Sequence, residues 1–111
     1  MYARNTEVSS ARSQEHIQQA LMRYGADGFS IGMDRGTAHV RFRIHNLMVR
    51  VVSAMPDREK HTITPTGRKR RAAAVDAEWQ QECRSVWRAL LLVIRAKLEA
   101  VEQGISTIEQ E

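Results

Sequence analysis

GFSIGMDRGTAHVRFRIHNLMVRVVSAM, residues 28–55, alternates apolar and polar side chains with a period of two. Phe29, Ile31 and Met33 form one apolar set, Ala38, Val40, Phe42 and Ile44 a second, and Leu47, Val49 and Val51 a third. That period is the signature of strands with one covered face. The turns between them are Arg35-Gly36 and His45-Asn46, and the apolar pattern itself tests them. A two-residue turn at 35–36 sets Met33 against Ala38, Ile31 against Val40, and Phe29 against Phe42. A two-residue turn at 45–46 sets Ile44 against Leu47, Phe42 against Val49, and Val40 against Val51. Both registers keep every apolar partner on one face, and a slip of one residue would send them to opposite faces. Neither turn is Asn-Gly, so a bulge at Asp34-Arg35-Gly36 is the alternative to a tight turn. The expectation is a three-stranded antiparallel meander with strands at about 28–34, 37–45 and 47–55.

On the N-terminal side the period lengthens. Ile17, Ala20, Leu21 and Tyr24 fall at i, i+3, i+4 and i+7, one stripe of a helix over about 10–24. Ser9 and Ser10 offer N-caps, and Gly25 can take the left-handed conformation that ends a helix. On the C-terminal side, 57–71, DREKHTITPTGRKRR, has no apolar period and carries seven basic side chains, His61 included. It reads as a loop. Val75, Trp79, Cys83, Val86, Trp87, Leu90, Leu91, Ile94, Leu98 and Val101 then follow helical spacing, giving a long helix over 72–103 that ends at Gly104, with a short tail at 104–111. The order is α-β-β-β-α. It predicts a single α+β domain over 1–111, a two-layer arrangement with the meander packed on both helices.

Composition narrows the class. A chain of 111 residues, 42% apolar and 27% charged, suits one globular domain, and 5% aromatics make its core mainly aliphatic. The single cysteine, Cys83, excludes an internal disulfide and fits a reducing compartment. No eighteen-residue apolar run and no signal segment occur, so the expectation is a cytoplasmic protein with no membrane partner. Charge is divided unevenly. Residues 1–75 hold 13 Lys/Arg against 6 Asp/Glu, whereas 76–111 hold 4 against 7. A basic front half suggests an anionic partner, although a high isoelectric point also serves solubility alone.

Two features could carry chemistry. Thr64-Pro65-Thr66-Gly67-Arg68-Lys69-Arg70-Arg71 joins hydroxyls, a close-approach glycine and four cations ahead of a helix. The spacing is not that of a Walker loop. With Arg58 and Lys60 it makes a candidate phosphate or nucleic-acid contact; a solvated surface loop is the plainer reading. The other feature is the outer sheet face. The registers set Arg41 directly opposite Arg50, with Arg43, His39 and His45 on the same side. Like charges across a strand pair repel, so the arrangement calls for an anion or for nearby acids such as Asp27 or Asp34. No aromatic interleaves the arginines, which argues against base stacking and for backbone contact.

Catalysis finds no support. His16, His39, His45 and His61 lack metal-ligand spacing, and one cysteine cannot nucleate a thiolate site. Cys83 lies on the apolar stripe between Trp79 and Trp87, where all three read first as core. The expectation is a protein with no catalytic residues, no metal and no cofactor. The long helix raises a separate question. Its 32 residues span about 48 Å, whereas six to eight strand residues reach roughly 20–27 Å. The segment Val86–Ile94 is apolar nearly all round, as in a helix buried on more than one side. A homodimer through Trp87, Leu91, Leu92 and Ile94 would bury the excess, unless the first helix covers it or a kink folds it back.

YGAD at 24–27, MPDR at 55–58, TPTGRKR at 64–70, and W…C…WRAL…IRAKLEAVEQGIST at 79–107 resemble a family of small phage- and prophage-encoded proteins. The resemblance covers most of the chain and brings no assigned site residues; the family pattern runs on past Glu111. It implies a bacterial cytoplasm during infection or lysogeny. Three functions remain open: a non-enzymatic protein holding nucleic acid through its sheet face and the 58–71 loop; a counter-defence protein sequestering a small, cyclic nucleotide signal with Thr64, Thr66, Gly67 and Arg68; or a protein that blocks a host protein.

Overall fold

A computed structural model describes residues 8–61, 67, 69 and 71–104. Helix α1 spans Ser10–Arg23. Its start is capped by Ser9, whose hydroxyl accepts from the Arg12 amide at 3.1 Å. Its end is a full Schellman closure: Gly25 sits at φ +87°, the Ala26 amide reaches the Leu21 carbonyl at 2.9 Å, and the Gly25 amide reaches Met22 at 3.2 Å.

Strands β1 (Gly28–Asp34), β2 (Thr37–Ile44) and β3 (Leu47–Ala54) form an antiparallel sheet in that order. The pairs Phe29–Phe42, Ile31–Val40, Phe42–Val49 and Val40–Val51 all occur, so both registers read from the sequence are those of the protein. Arg35 and Gly36 have φ of 51° and 75°, and His45 and Asn46 have φ of 53° and 63°. Both connections are therefore tight two-residue turns with two left-handed positions, the geometry that matches strand twist, and the alternative bulge at 34–36 is absent. His45 and Asn46 carry a conformational cost that Asn-Gly would reduce. The pair His45→Asn, Asn46→Gly should raise the urea midpoint by about 1 kcal/mol of stability.

Helix α2 runs Ala72–Glu102 without a break, 31 residues, and ends at Gly104 with φ +70°. At 1.5 Å per residue it reaches about 46 Å, most of the 51 Å long axis of the molecule. The first turns of α1 (Ser10, Gln14) share a groove with Gln80, Cys83, Arg84 and Trp87, while the Tyr24 hydroxyl donates to Glu99 at 2.7 Å. The two helices are therefore parallel, with α1 lying along the second half of α2. What covers the first half is a short 3₁₀ turn, Arg58–His61, in a stretch read from the sequence as plain loop. Asp57 starts that turn, its carbonyl accepting from Lys60 at 3.1 Å and its carboxylate from Glu59 at 3.0 Å. A turn this short has no apolar period to announce it.

The core joins Ile17 and Leu21 of α1, Val40, Phe42 and Val49 of the sheet, and Trp87, Leu91, Ile94 and Leu98 of α2, each 1% exposed or less. This corrects the interface expected on α2. Trp87, Leu91 and Ile94 face the chain's own core, because α1 and the sheet pack on two sides of the same helix. Of that set only Leu92 stays outside, 45% exposed, with its neighbour Val93 at 44%.

Candidate nucleic-acid interface

Alternation along the strands sends Ser30, Arg41 and Arg50 to the side of the sheet opposite the core, and the registers line them up across it: Ser30 faces Arg41, and Arg41 faces Arg50. Both arginines are exposed, and neither has an ion-pair partner among the described residues. The two flanking rows differ. Arg43 reaches Asp27, Nε to Oδ1 at 2.9 Å, and lies back over Gly28, where a Cβ would come 3.9 Å from its Nη2. The His39 ring lies over Gly32 in the same way, 3.5 Å from the place a Cβ would take. Two glycines in β1 thus let the β2 side chains lie down and keep this part of the face low. Met48 and Val52 complete it on β3, each about half exposed.

Positive charge continues past β3, the last strand of the sheet among the described residues. Arg50, Val51, Val52, Val93 and Lys97 line a groove of about 350 Å³ between that strand and α2. Lys97 was not among the residues singled out from the sequence. Its position follows from the sheet packing across α2 near Val93, which no helical period reveals.

Of the candidate residues in the basic loop, Arg58, Lys60, Gly67, Lys69 and Arg71 are described. Arg58 is bound to Asp76, Nε to Oδ1 at 2.7 Å, which ties the 3₁₀ turn to α2. Lys60 is exposed. Gly67 (φ +88°, with open space around it), Lys69 and Arg71 are also exposed, and Arg71 precedes the first turn of α2. Thr64, Thr66, Arg68 and Arg70 lie outside the described residues.

A second polar cluster went unnoticed in the sequence. His61 sits between two α2 carboxylates, Nδ1 3.4 Å from Glu78 and Nε2 3.1 Å from Glu82, with its side chain only 11% exposed. Beside it the Trp79 indole donates to the Pro56 carbonyl at 2.9 Å. Glu78 and Glu82 are four residues apart, one helical turn, and that spacing was the available signal. A cavity of about 330 Å³ opens there, walled by Met55, Lys60, His61, Glu82 and Val86 among others. With both ring nitrogens against carboxylates the imidazole clips the 3₁₀ turn to α2. Among the described residues no group of three His, Cys, Asp or Glu side chains is arranged to hold a metal ion, and no helix is long and apolar enough to cross a membrane.

Cys83 lines the apolar groove with Met33, Trp79 and Trp87, a space of about 390 Å³. Burial pushes its thiol up from the usual range, the nearby Glu82 adds to this, and Arg84 opposes it. A thiol whose thiolate is disfavoured makes a poor nucleophile. Folding and deprotonation are linked with a definite sign: the folded pKa is the higher one, so this contribution to stability holds below the unfolded thiol's pKa and fades as pH rises through the folded value. In a disulfide-exchange assay at mildly alkaline pH, Cys83 should therefore react more slowly in buffer than in denaturing urea; equal rates would contradict the placement.

The described surface thus offers one row of exposed, unpaired arginines on a helix-free sheet face and one carboxylate-clamped histidine that serves structure. Compared with family models, with curated proteins and with solved structures, the chain matches none of them.

Proposed function

We propose that this chain is a non-enzymatic accessory protein of phage or prophage origin that acts in the host cytoplasm by binding nucleic acid through phosphate contacts. The observation that carries the reading is the Arg41–Arg50 pair. Two cations set opposite each other on adjacent strands, with no acid paired to them among the described residues, cost stability in the free protein, and a polyanion laid across the sheet relieves that cost. The basic front half of the sequence adds long-range attraction. The segments that resemble small phage proteins support the setting, and no contact in it needs a cofactor.

Fluorescence polarisation with labelled DNA and RNA over a range of salt tests this. Binding should weaken steeply with salt, and Arg41→Ala with Arg50→Ala should reduce the slope of log K against log salt by about 2, one for each lost phosphate contact. Arg68→Glu with Arg70→Glu should weaken binding further if the loop shares the strand. An unchanged slope in the sheet variant removes the sheet face from the reading. Tight, salt-insensitive binding of a cyclic nucleotide instead of a polymer would transfer the function to nucleotide sequestration, and capture of a host protein by the sheet variant would transfer it to host inhibition.

A second reading concerns self-association. Leu92 and Val93 stand exposed on α2 at 45% and 44%, an apolar patch that a second copy can cover. A two-fold dimer pairing the α2 helices of two copies antiparallel through Leu92 and Val93 covers this patch and leaves the arginine face open. Sedimentation equilibrium should then give twice the 12.7 kDa monomer mass, and Leu92→Glu should return the monomer with its fold intact. A wild-type protein at monomer mass in the tens of micromolar excludes this dimer.

A further inference from the structure

We infer that the polymer taken by the sheet face is double-helical B-form DNA, with the β2–β3 pair seated in the major groove. This deepens the nucleic-acid reading above and rests on it. Width comes first. Adjacent strands lie about 4.8 Å apart, and the major groove of B-DNA, about 12 Å wide, admits a two-stranded ribbon such as β2–β3, the pair that carries Arg41 and Arg50. The undeformed minor groove, about 6 Å wide, is too narrow for that pair.

Relief comes second. Gly28 and Gly32 have no side chains, and Arg43 and His39 lie down over them. The β1 side of the face is consequently shallow, and the backbone can approach a groove floor closely. Exposed cations remain on the central and outer strands, Arg41 on β2 and Arg50 directly opposite it on β3, each available to a phosphate of the groove walls. Lys97 lines the groove that continues from Arg50 around the β3 edge, where the phosphate backbone would pass.

Chemistry excludes the other polymers. Single strands are held by bases stacked on aromatic side chains. Here the two phenylalanines of the sheet lie on the core side: Phe42 is 0% exposed and Phe29 pairs with it across the strands. Among the described residues no Phe, Tyr or Trp stands on the arginine face. The major groove of A-form RNA is deep and too narrow for side chains, and its minor groove, though wide, is too shallow to seat a pair of strands. Duplex DNA combines the width and the depth with phosphate walls on both sides.

The test uses the full chain and four probes of one mixed sequence: duplex DNA, its single strand, the RNA duplex, and DNA duplex whose cytosines carry glucosylated hydroxymethyl groups that fill the major groove without altering the phosphates. Plain duplex DNA should bind about tenfold or more tightly than the single strand or the RNA duplex at equal salt, and glucosylation should abolish that advantage. Distamycin, which occupies the minor groove, should leave binding unchanged. Equal or tighter binding of single strand or RNA overturns the inference while leaving a nucleic-acid function standing. Unimpaired binding of glucosylated duplex, or displacement by distamycin, does the same. Binding of none of the four overturns the underlying function as well.

Discussion

Val49→Asp should unfold the protein. Val49 is completely buried on β3, opposite Phe42 on the central strand, which is equally buried. A carboxylate there has no cation within the core and no water. Leaving one charge unpaired in the interior costs roughly 3–5 kcal/mol, a large share of the 5–15 kcal/mol that holds a typical domain together. The neighbouring change Arg50→Ala acts on the other face. It should move stability by only about 0.5 kcal/mol, and toward greater stability, since it removes a like-charge neighbour of Arg41. Urea melts followed by far-ultraviolet circular dichroism separate the two. If Arg50→Ala were the unfolding variant and Val49→Asp the silent one, the sheet register would be displaced by one residue.

Trp87→Ala carries the next largest effect, a loss of about 3–5 kcal/mol. Trp87 is the largest fully buried side chain, 1% exposed, and belongs to the same packed cluster as Phe42, Leu91 and Ile94. Truncation removes its transfer energy and leaves a cavity that the aliphatic surroundings only partly fill. The contrast is Leu92→Ala, five residues on. Leu92 is 45% exposed, so its truncation should shift the urea midpoint of the monomer by well under about 1 kcal/mol. Were Trp87 an anchor for a partner instead, its loss would leave the monomer midpoint in place and change only the mass in sedimentation.

The sheet was readable because its information is local and redundant. One wrong residue in either turn would have sent Ile31, Val40, Phe42 and Val49 to different faces, so the pattern allowed few registers. Helix α1 was readable for a similar reason: a serine cap, a four-residue stripe and a closing glycine agree with each other. The Arg41–Arg50 row followed at once, because in a strand of known register the partner of each residue is arithmetic.

Helix α2 shows where that reading stops. Its apolar residues predicted a helix buried on several sides, which is correct, but not what buries it. Trp87, Leu91 and Ile94 are equally compatible with a second copy and with the chain's own α1 and sheet. The burial of all three shows that packing within the chain covers them and leaves Leu92 outside. The excess length of α2 is taken up by the Arg58–His61 turn, held by Asp76, Glu78 and Glu82. Those acids lie up to 21 residues from their partners, beyond any local period.

The division has one physical cause. Periodicity, caps and turn residues act between neighbours in the chain, so the amino-acid order alone determined the five main elements, the strand pairing and the row of arginines. Which cations stay unpaired depends on what folding brings beside them. Arg43 and Arg58 found Asp27 and Asp76, whereas Arg41 and Arg50 are exposed on the sheet face without an ion-pair partner among the described residues. Charge in a sequence is only a count. Packing in three dimensions turns part of it into internal bonds and leaves the remainder on a surface that can meet a partner.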